Sequence, residues 1–430
     1  MVTHTPERQN IGPLASRVRA LKPSSTLAVG ARAKELQAAG VDVLSFAAGE
    51  PDFDTPQVIK DAAIRALQAG MTKYAPVPGS ADARAAVAEK LTTENGIPGI
   101  TPEHVVISTG GKHSLFNLFM ALLDTPGEGL EARRVILPVP AWVSYAPQAV
   151  LAGGEVHEVV TEADSGFKMS PAQLKYALTP DARILVLNSP SNPCGTMYTP
   201  DELRVLGTII HEATSGPNPR CPHLVVITDE IYEKLVFSGQ EHFSIGSMPE
   251  IAERVITVNG LSKAYAMTGW RVGYFAGSGD FGLEVAKGAA KLQSQSTTAI
   301  PTFILPTLRV AFEQCTDFVE MLRTTFEARA GLMFDGLSAI DGLRCPRPTG
   351  AMYAFPDVSA HFGKSSPKGT RIDSALTFSQ ALLDEHHVAL VPGEDFGTGG
   401  EKCCRLTYAC GDEQIEKGIE RLRAFVGSLR

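Results

Sequence analysis

The chain has 430 residues, 44% hydrophobic and 20% charged, the proportions of a soluble globular protein long enough for two or three domains. Its net charge of −8 argues against nucleic acid or an anionic membrane as main partner, and no apolar run reaches the roughly 18 residues of a membrane span. Met1 to Asn10 is polar, without a signal-peptide apolar region, and the seven cysteines are scattered with no C-x-x-C pair; a reducing cytoplasm is the expected location.

Residues 1–24 read as an extended arm. A helical pattern over Leu27–Ala39 stops at Gly40, and a short strand at Val43–Phe46 leads to Gly49-Glu50-Pro51-Asp52. Helices are expected over Gln57–Ala69 and Asp82–Leu91, with a loop from Tyr74 to Gly79 between them. From about residue 104 strands and helices alternate, which predicts a mostly parallel sheet. Its strand candidates are Val105–Ile107, Val135–Leu137, Ile184–Leu187, Leu224–Ile227, Val255–Val258 and Val272–Ala276. Ser170-Pro171-Ala172-Gln173 and Thr199-Pro200-Asp201-Glu202 are capping boxes with proline at the first helical position. After about residue 300 helices dominate, then short strands near Met352–Phe355, Val388–Val391 and Arg405–Tyr408, and a last helix over Glu413–Val426. This part predicts a second, α+β domain.

Ligands of an open parallel sheet bind beyond the carboxyl ends of its strands, so those ends are where chemistry is expected. The first candidate strand runs into Ser108-Thr109-Gly110-Gly111-Lys112, which opens a helix whose free N–H groups suit an anion. The second leads to Trp142, whose ring could cover a planar ligand. The third ends in Asn188-Ser189-Pro190-Ser191-Asn192-Pro193-Cys194-Gly195, where two prolines bracket a polar donor. The fourth ends in Asp229-Glu230-Ile231-Tyr232, and a carboxylate there is costly unless a cation faces it, a pyridinium nitrogen being one such cation. The fifth ends at Asn259-Gly260 and is followed by Ser262 and Lys263, with Arg271 at the entrance to the next strand. A partly desolvated lysine in such a loop can act as a Schiff-base nucleophile, and a hydroxyl with a planar guanidinium suits a phosphate.

Two patterns point elsewhere and are set aside. Gly277-Ser278-Gly279-Asp280-Phe281-Gly282 fits the dinucleotide fingerprint, but residues 285–312 contain no acid that could hold a ribose. Glu385-His386-His387 lacks metal-ligand spacing and reads as a helix end, so no metal site is expected.

Together these motifs resemble the class I and II aminotransferases that use pyridoxal phosphate, fold type I, and most closely the Iβ aspartate aminotransferases. The resemblance spans about residues 15 to 425 and rests on Gly49–Pro56, Tyr74–Arg84, Asn188–Gly195, Asp229–Glu233, Ser262–Gly273 and Cys404–Ala409. It implies an arm at 1–24, a small domain built from 25–58 and 316–430, and a large cofactor domain at 59–315. It also implies that Lys263 forms the cofactor's internal aldimine and shuttles the substrate Cα proton, while Asp229 pairs with the pyridinium. Asn192 and Tyr232 would bond the phenolic oxygen, Trp142 would stack on the ring, and Gly110, Gly111, Ser262 and Arg271 would hold the phosphate. Arg405 would grip the substrate α-carboxylate with Asn192 and Gly49, while Lys112 and Thr26 would serve the distal carboxylate. Tyr74 would reach the neighbouring subunit's phosphate, implying a homodimer. The expected activity is exchange of an amino group between aspartate, or a similar acidic amino acid, and 2-oxoglutarate. The alternatives are a prephenate or broader aminotransferase, and a lyase on the same fold. The chain departs from the family pattern at Ala81-Asp82-Ala83-Arg84, where Pro-Glu-Leu-Arg is usual, and at Cys194, where threonine is usual.

Overall fold

A computed structural model describes residues 14–19, 21, 25–125, 127 and 129–430. A two-residue strand, β1 (Leu44–Ser45), precedes the main sheet, which is formed by β2 (Val106–Thr109), β3 (Arg134–Val139), β4 (Glu155–Val160), β5 (Ala182–Asn188), β6 (Val225–Asp229), β7 (Val255–Gly260) and β8 (Val272–Gly277). Their spatial order is β2-β8-β7-β6-β5-β3-β4. The neighbours from β4 to β7 pair in parallel, whereas β8 runs antiparallel to both β7 and β2. Residues of β6, β7 and β8 are all buried, as expected of Val/Ile-rich strands covered on both faces.

The alternating pattern from residue 104 thus forms the expected α/β sheet, with two differences. The edge strand β4, Glu-Val-His-Glu-Val-Val, escapes a hydrophobic reading because one side has no neighbour and most of its residues stay partly exposed. The reversal of β8 is also absent from local pattern, and it has a consequence for the site. It pairs Thr109 with Val272 and Gly260 with Gly273, so the start of β8 lies beside the ends of β2 and β7. Arg271, one residue before β8, therefore joins the same edge as the strand ends.

The remaining strands form two small sheets. Strand β1 pairs in parallel with β10 (Val388–Ala389), and β12 (Cys404–Thr407) lies antiparallel between β9 (Tyr353–Ala354) and β11 (Val391–Pro392). The single strand expected over 388–391 is thus two short ones belonging to different sheets. Phe46, just after β1, is buried among Leu322, Phe326, Phe378, Ile419 and Phe425, which ties the 44–46 segment to the last third of the chain. Gly418 is required there, because a Cβ would lie 2.2 Å from the Phe46 ring. Both expected capping boxes are formed, by Ser170 with Gln173 and by Thr199 with Glu202.

Under the β6 loop lies a buried polar network. Lys90, inside the helix Ala81–Thr93, pairs with Glu233 and donates to Asn95 Oδ1 at 2.7 Å; Asn95 in turn donates to Glu233 Oε2 at 2.7 Å and Glu230 Oε2 at 3.2 Å. Burial pushes Glu233 up, but Lys90, then His242 and Lys234, outweigh it and hold its carboxyl down at about 2. Burial and the facing Glu233 raise Glu230 instead, to about 8. Glu230, Glu233 and His242 could together hold a metal ion, yet the Lys90 ammonium already supplies a cation to this group. Lys90→Met should lower stability to urea by about 3–5 kcal/mol, because it strands a buried carboxylate. Adding Glu233→Gln should restore most of the loss.

Candidate active site

Asp229 closes β6 and is buried. Its Oδ2 accepts from Tyr145 Oη at 2.7 Å and its Oδ1 from the Ile231 N–H at 3.2 Å. Burial pushes its pKa up to about 6 against the pull of these donors and of Lys263, so a full cation placed against it would be well matched. Asn188 Nδ2 donates to the Asp229 carbonyl at 2.9 Å, and Asn188 Oδ1 accepts from the Asn192 N–H at 2.9 Å. A ladder of hydrogen bonds thus joins the ends of β5 and β6.

Lys263 lies in the loop between β7 and β8. Its ammonium donates to the Gly49 carbonyl and stands 6.0 Å from the Tyr232 ring centroid. Ala266 and Arg271 in this loop have φ of +50° and +59°, conformations that cost roughly 1–3 kcal/mol each for non-glycine residues. The Gly49–Pro56 segment braces them. Thr55 Oγ1 donates to the Ala266 carbonyl at 2.8 Å and accepts from Trp270 Nε1 at 3.0 Å, while Thr268 Oγ1 donates to Glu50 at 2.9 Å.

Next to the lysine loop is an anion cradle. Gly110, with φ of +79°, caps the helix Gly111–Leu122, and a Cβ on it would lie 2.4 Å from Arg271 Nη2. A Cβ on Gly273 would lie 2.1 Å from the Gly111 nitrogen. These contacts hold a guanidinium against a helix N-terminus, with the buried Ser262 in the same loop, a donor set that suits a phosphate. Lys112 Nζ is 4.9 Å from the Trp142 ring centroid, and burial, then Arg271, lowers its pKa.

Arg405, on β12, is 5% exposed. It donates to Asn192 Oδ1 and to the Ala47 carbonyl, each at 3.0 Å, while its Nε has no partner. Its guanidinium lies 4.7 Å from the Tyr353 ring centroid and 5.3 Å from that of Phe396. None of the acids among the described residues forms an ion pair with it, which leaves a buried cation prepared for an anion from outside.

A family model for aminotransferase class I and II matches residues 41–422. The chain belongs to that family. It is 40% identical to an aspartate aminotransferase of Bacillus subtilis (strain 168), over 96% of this chain and 98% of the relative. It is 42% identical to an aspartate/prephenate aminotransferase of Thermus thermophilus, over 96% and 99%. Among solved structures, the aspartate aminotransferase of Rhizobium meliloti superposes with a TM-score of 0.89 at 36% identity, covering 97% of this chain and all of that one. The Thermus thermophilus aspartate aminotransferase with maleate gives 0.85 at 40% identity, covering 96% and 100%. The fold is that of the fold type I aminotransferases.

In this aminotransferase Lys263, Asp229, Tyr232, Asn192, Arg405 and Gly49 are linked through the contacts above, and Gly110, Gly111, Arg271, Lys112 and Trp142 adjoin them. Tyr74 is 94% exposed and has no hydrogen bond or ring contact to the other candidate site residues among the described residues. The Thr26 side chain lies outside the described residues, although its helix, Ser25–Ala38, is described. Cys194 is buried in an apolar cluster with Phe355 and Phe396 and takes no part in the ladder. The glycines of the fingerprint-like run have a packing role: a Cβ on Gly282 would lie 2.0 Å from the Gly277 carbonyl oxygen. Glu385–His387 does end a helix, with His387 left-handed at its cap.

Sequence reading missed Tyr145, Asn188, Tyr353 and Phe396. Tyr145 had a usable signal, its position three residues after Trp142 at the start of the helix Tyr145–Leu151. Tyr353 and Phe396 had none, because their importance comes from strands far away in sequence. The Asp229 pKa predicts a pH effect on the apoprotein. A carboxyl raised in the folded state adds stability below its ordinary value near 3.9 and loses it as pH rises through about 6. Asp229→Asn should therefore stabilise the apoprotein by about 2–3 kcal/mol at pH 8 and by almost nothing near pH 4, measured by urea unfolding across that range.

Proposed function

We propose that this aminotransferase exchanges an amino group between aspartate, or a similar acidic amino acid, and 2-oxoglutarate, with pyridoxal phosphate as cofactor. One observation carries the reading. Lys263, the buried Asp229 and the anion-seeking Arg405, far apart in sequence, are joined by contacts through Gly49, Tyr232, Tyr353, Asn192 and Asn188, with the Arg271 cradle in the same loop as the lysine. The names of the relatives support the acidic substrate.

The residues present fit the cofactor. Gly110 and Gly273 let Arg271 and the helix start pack together where a Cβ would collide, which keeps a phosphate-binding donor set in place, and Asp229 has the burial and raised pKa of an acid suited to a pyridinium. Bound there, pyridoxal phosphate supplies an electron-withdrawing ring that spreads the charge left on a substrate carbon when its proton departs. Asp229 would hold the proton of the ring nitrogen, Trp142 cover the ring, and Asn192 and Tyr232 meet its phenolic oxygen. Gly110, Gly111, Ser262 and Arg271 would hold the phosphate. Lys263 would take and return the proton at substrate Cα, its amine kept near by the Gly49 carbonyl. Arg405, set by Asn192 and Ala47, would receive the α-carboxylate with help from Gly49. Lys112 and Thr26 would serve the distal carboxylate. Because Arg405 lies on β12 of a small sheet and Lys263 in a loop of the main sheet, substrate binding would draw the 25–58 and 316–430 parts toward 59–315 and exclude water.

The same reading includes a homodimer, supported by the near-complete exposure of Tyr74, which would reach the partner's phosphate site. It includes a cytoplasmic location, supported by seven free thiols; among the described residues no helix is long and apolar enough to cross a membrane.

Lys263→Ala should abolish turnover and the visible absorbance that pyridoxal phosphate gives the wild type; transamination at the wild-type rate in this variant would end the proposal. Half-reactions followed by that absorbance, donor by donor, should rank aspartate and glutamate first. Lys112→Ala should weaken aspartate use by about 30-fold, the scale of one charge-assisted hydrogen bond, while leaving alanine nearly unchanged.

A further inference from the structure

Tyr353 lies at the crossing of the three functions assigned above, and none of them accounts for it. It sits on β9, and its side chain is 1% exposed. Its hydroxyl is 3.0 Å from the hydroxyl of Tyr232, which belongs to the loop after β6 of the main sheet. The two rings meet edge to face at 5.9 Å. The Tyr353 ring face carries the Arg405 guanidinium. Gly49, whose carbonyl accepts from Lys263, approaches so closely that a Cβ on it would lie 2.8 Å from the Tyr353 hydroxyl.

The main chain of Tyr353 is fixed as well. Gly195 packs on its carbonyl, where a Cβ would come within 1.9 Å, and the Thr349 and Gly350 N–H groups donate to the Gly195 carbonyl at 2.8 and 3.0 Å. The phenol is therefore aimed from both strand and loop, with little freedom to turn away. Tyr232 has a single O–H to give. Burial and the facing Tyr353 keep that phenol protonated, well above its ordinary pKa. If Tyr232 donates to a ligand oxygen, the hydrogen between the two tyrosines must come from Tyr353.

We propose that Tyr353 is a positioning residue that donates its hydrogen to Tyr232, strengthening the bond Tyr232 gives to the cofactor's phenolic oxygen, while its ring face seats Arg405. The charge on the ring oxygen and the seat of the substrate carboxylate are thereby set by one side chain that touches both Tyr232 and Arg405. Chained hydrogen bonds polarise one another, so loss of the outer bond weakens the inner one. The inference rests on the cofactor assignment proposed above.

Two variants of the holoenzyme separate the two halves of the role. Tyr353→Phe keeps the ring and removes only the oxygen. A less stabilised ring oxygen holds the neighbouring proton more tightly, so the pH midpoint of the visible-absorbance titration should rise by about half a unit. With it, kcat should fall about 3- to 10-fold at a KM for aspartate within about twofold of wild type, the scale of one hydrogen bond. Tyr353→Leu removes the seat as well, and KM should rise about 10-fold further, the scale of a buried cation–π contact. A Tyr353→Phe enzyme with an unmoved midpoint and wild-type kcat overturns the proposal, as does one changed only in melting temperature. If the wild type itself gains no visible band with pyridoxal phosphate, the cofactor assignment fails instead, and the two failures are distinguishable.

Discussion

A carboxylate sealed at the tip of a buried strand sets the terms for the rest of this site. Asp229 has a tyrosine hydroxyl and a main-chain N–H as partners, too little to keep its charge comfortably at neutral pH. An opposite charge brought against it would gain more than it could at the surface, because few waters compete. The nearby groups extend this logic. Asn188 and Asn192 pass the geometry of the β6 end to Arg405, a buried cation that likewise has no ion-pair partner among the described residues. A buried carboxylate and a buried guanidinium, neither in an ion pair among the described residues, are held apart by a short ladder of amides, each suited to a different end of a charged ligand.

Such an arrangement carries strain and unpaired charge, and the fold offsets both. The loop bearing Lys263 keeps two non-glycine residues at positive φ, clamped by Thr55, Trp270 and Glu50. Beneath the β6 loop, Lys90, Asn95, Glu230 and Glu233 satisfy one another, so the backbone carrying Asp229 and Tyr232 rests on a closed polar network. The contrast is informative. The network behind the strand completes its own charges, whereas the face in front leaves them open.

The antiparallel strand β8 explains why the anion cradle exists at all. In a wholly parallel sheet the residue before a strand would lie at the far edge. Reversal brings Arg271 to the ligand edge, where Gly110 and Gly273 let it pack against the start of a helix. Side chains on either glycine would push the guanidinium or the helix aside. Tyr353 performs the corresponding service between the small sheet and the main one, placing its oxygen against Tyr232 and its ring face against Arg405.

The amino-acid sequence by itself determined the alternating strand and helix pattern and the capping boxes, and it named most of the residues on which the proposed site rests. Those signals are local: apolar runs long enough for a buried strand, polar groups placed just beyond them, and glycines where the backbone must turn. Tertiary structure alone decided the direction of β8, the existence of the edge strand β4, the splitting of 388–391 between two sheets, and the partners of the key side chains. Tyr145 meets Asp229 across 84 residues and Tyr353 meets Tyr232 across 121. A phenol's value as a donor depends on which buried atom it faces. That is fixed by packing among distant strands, and no spacing along the chain encodes it.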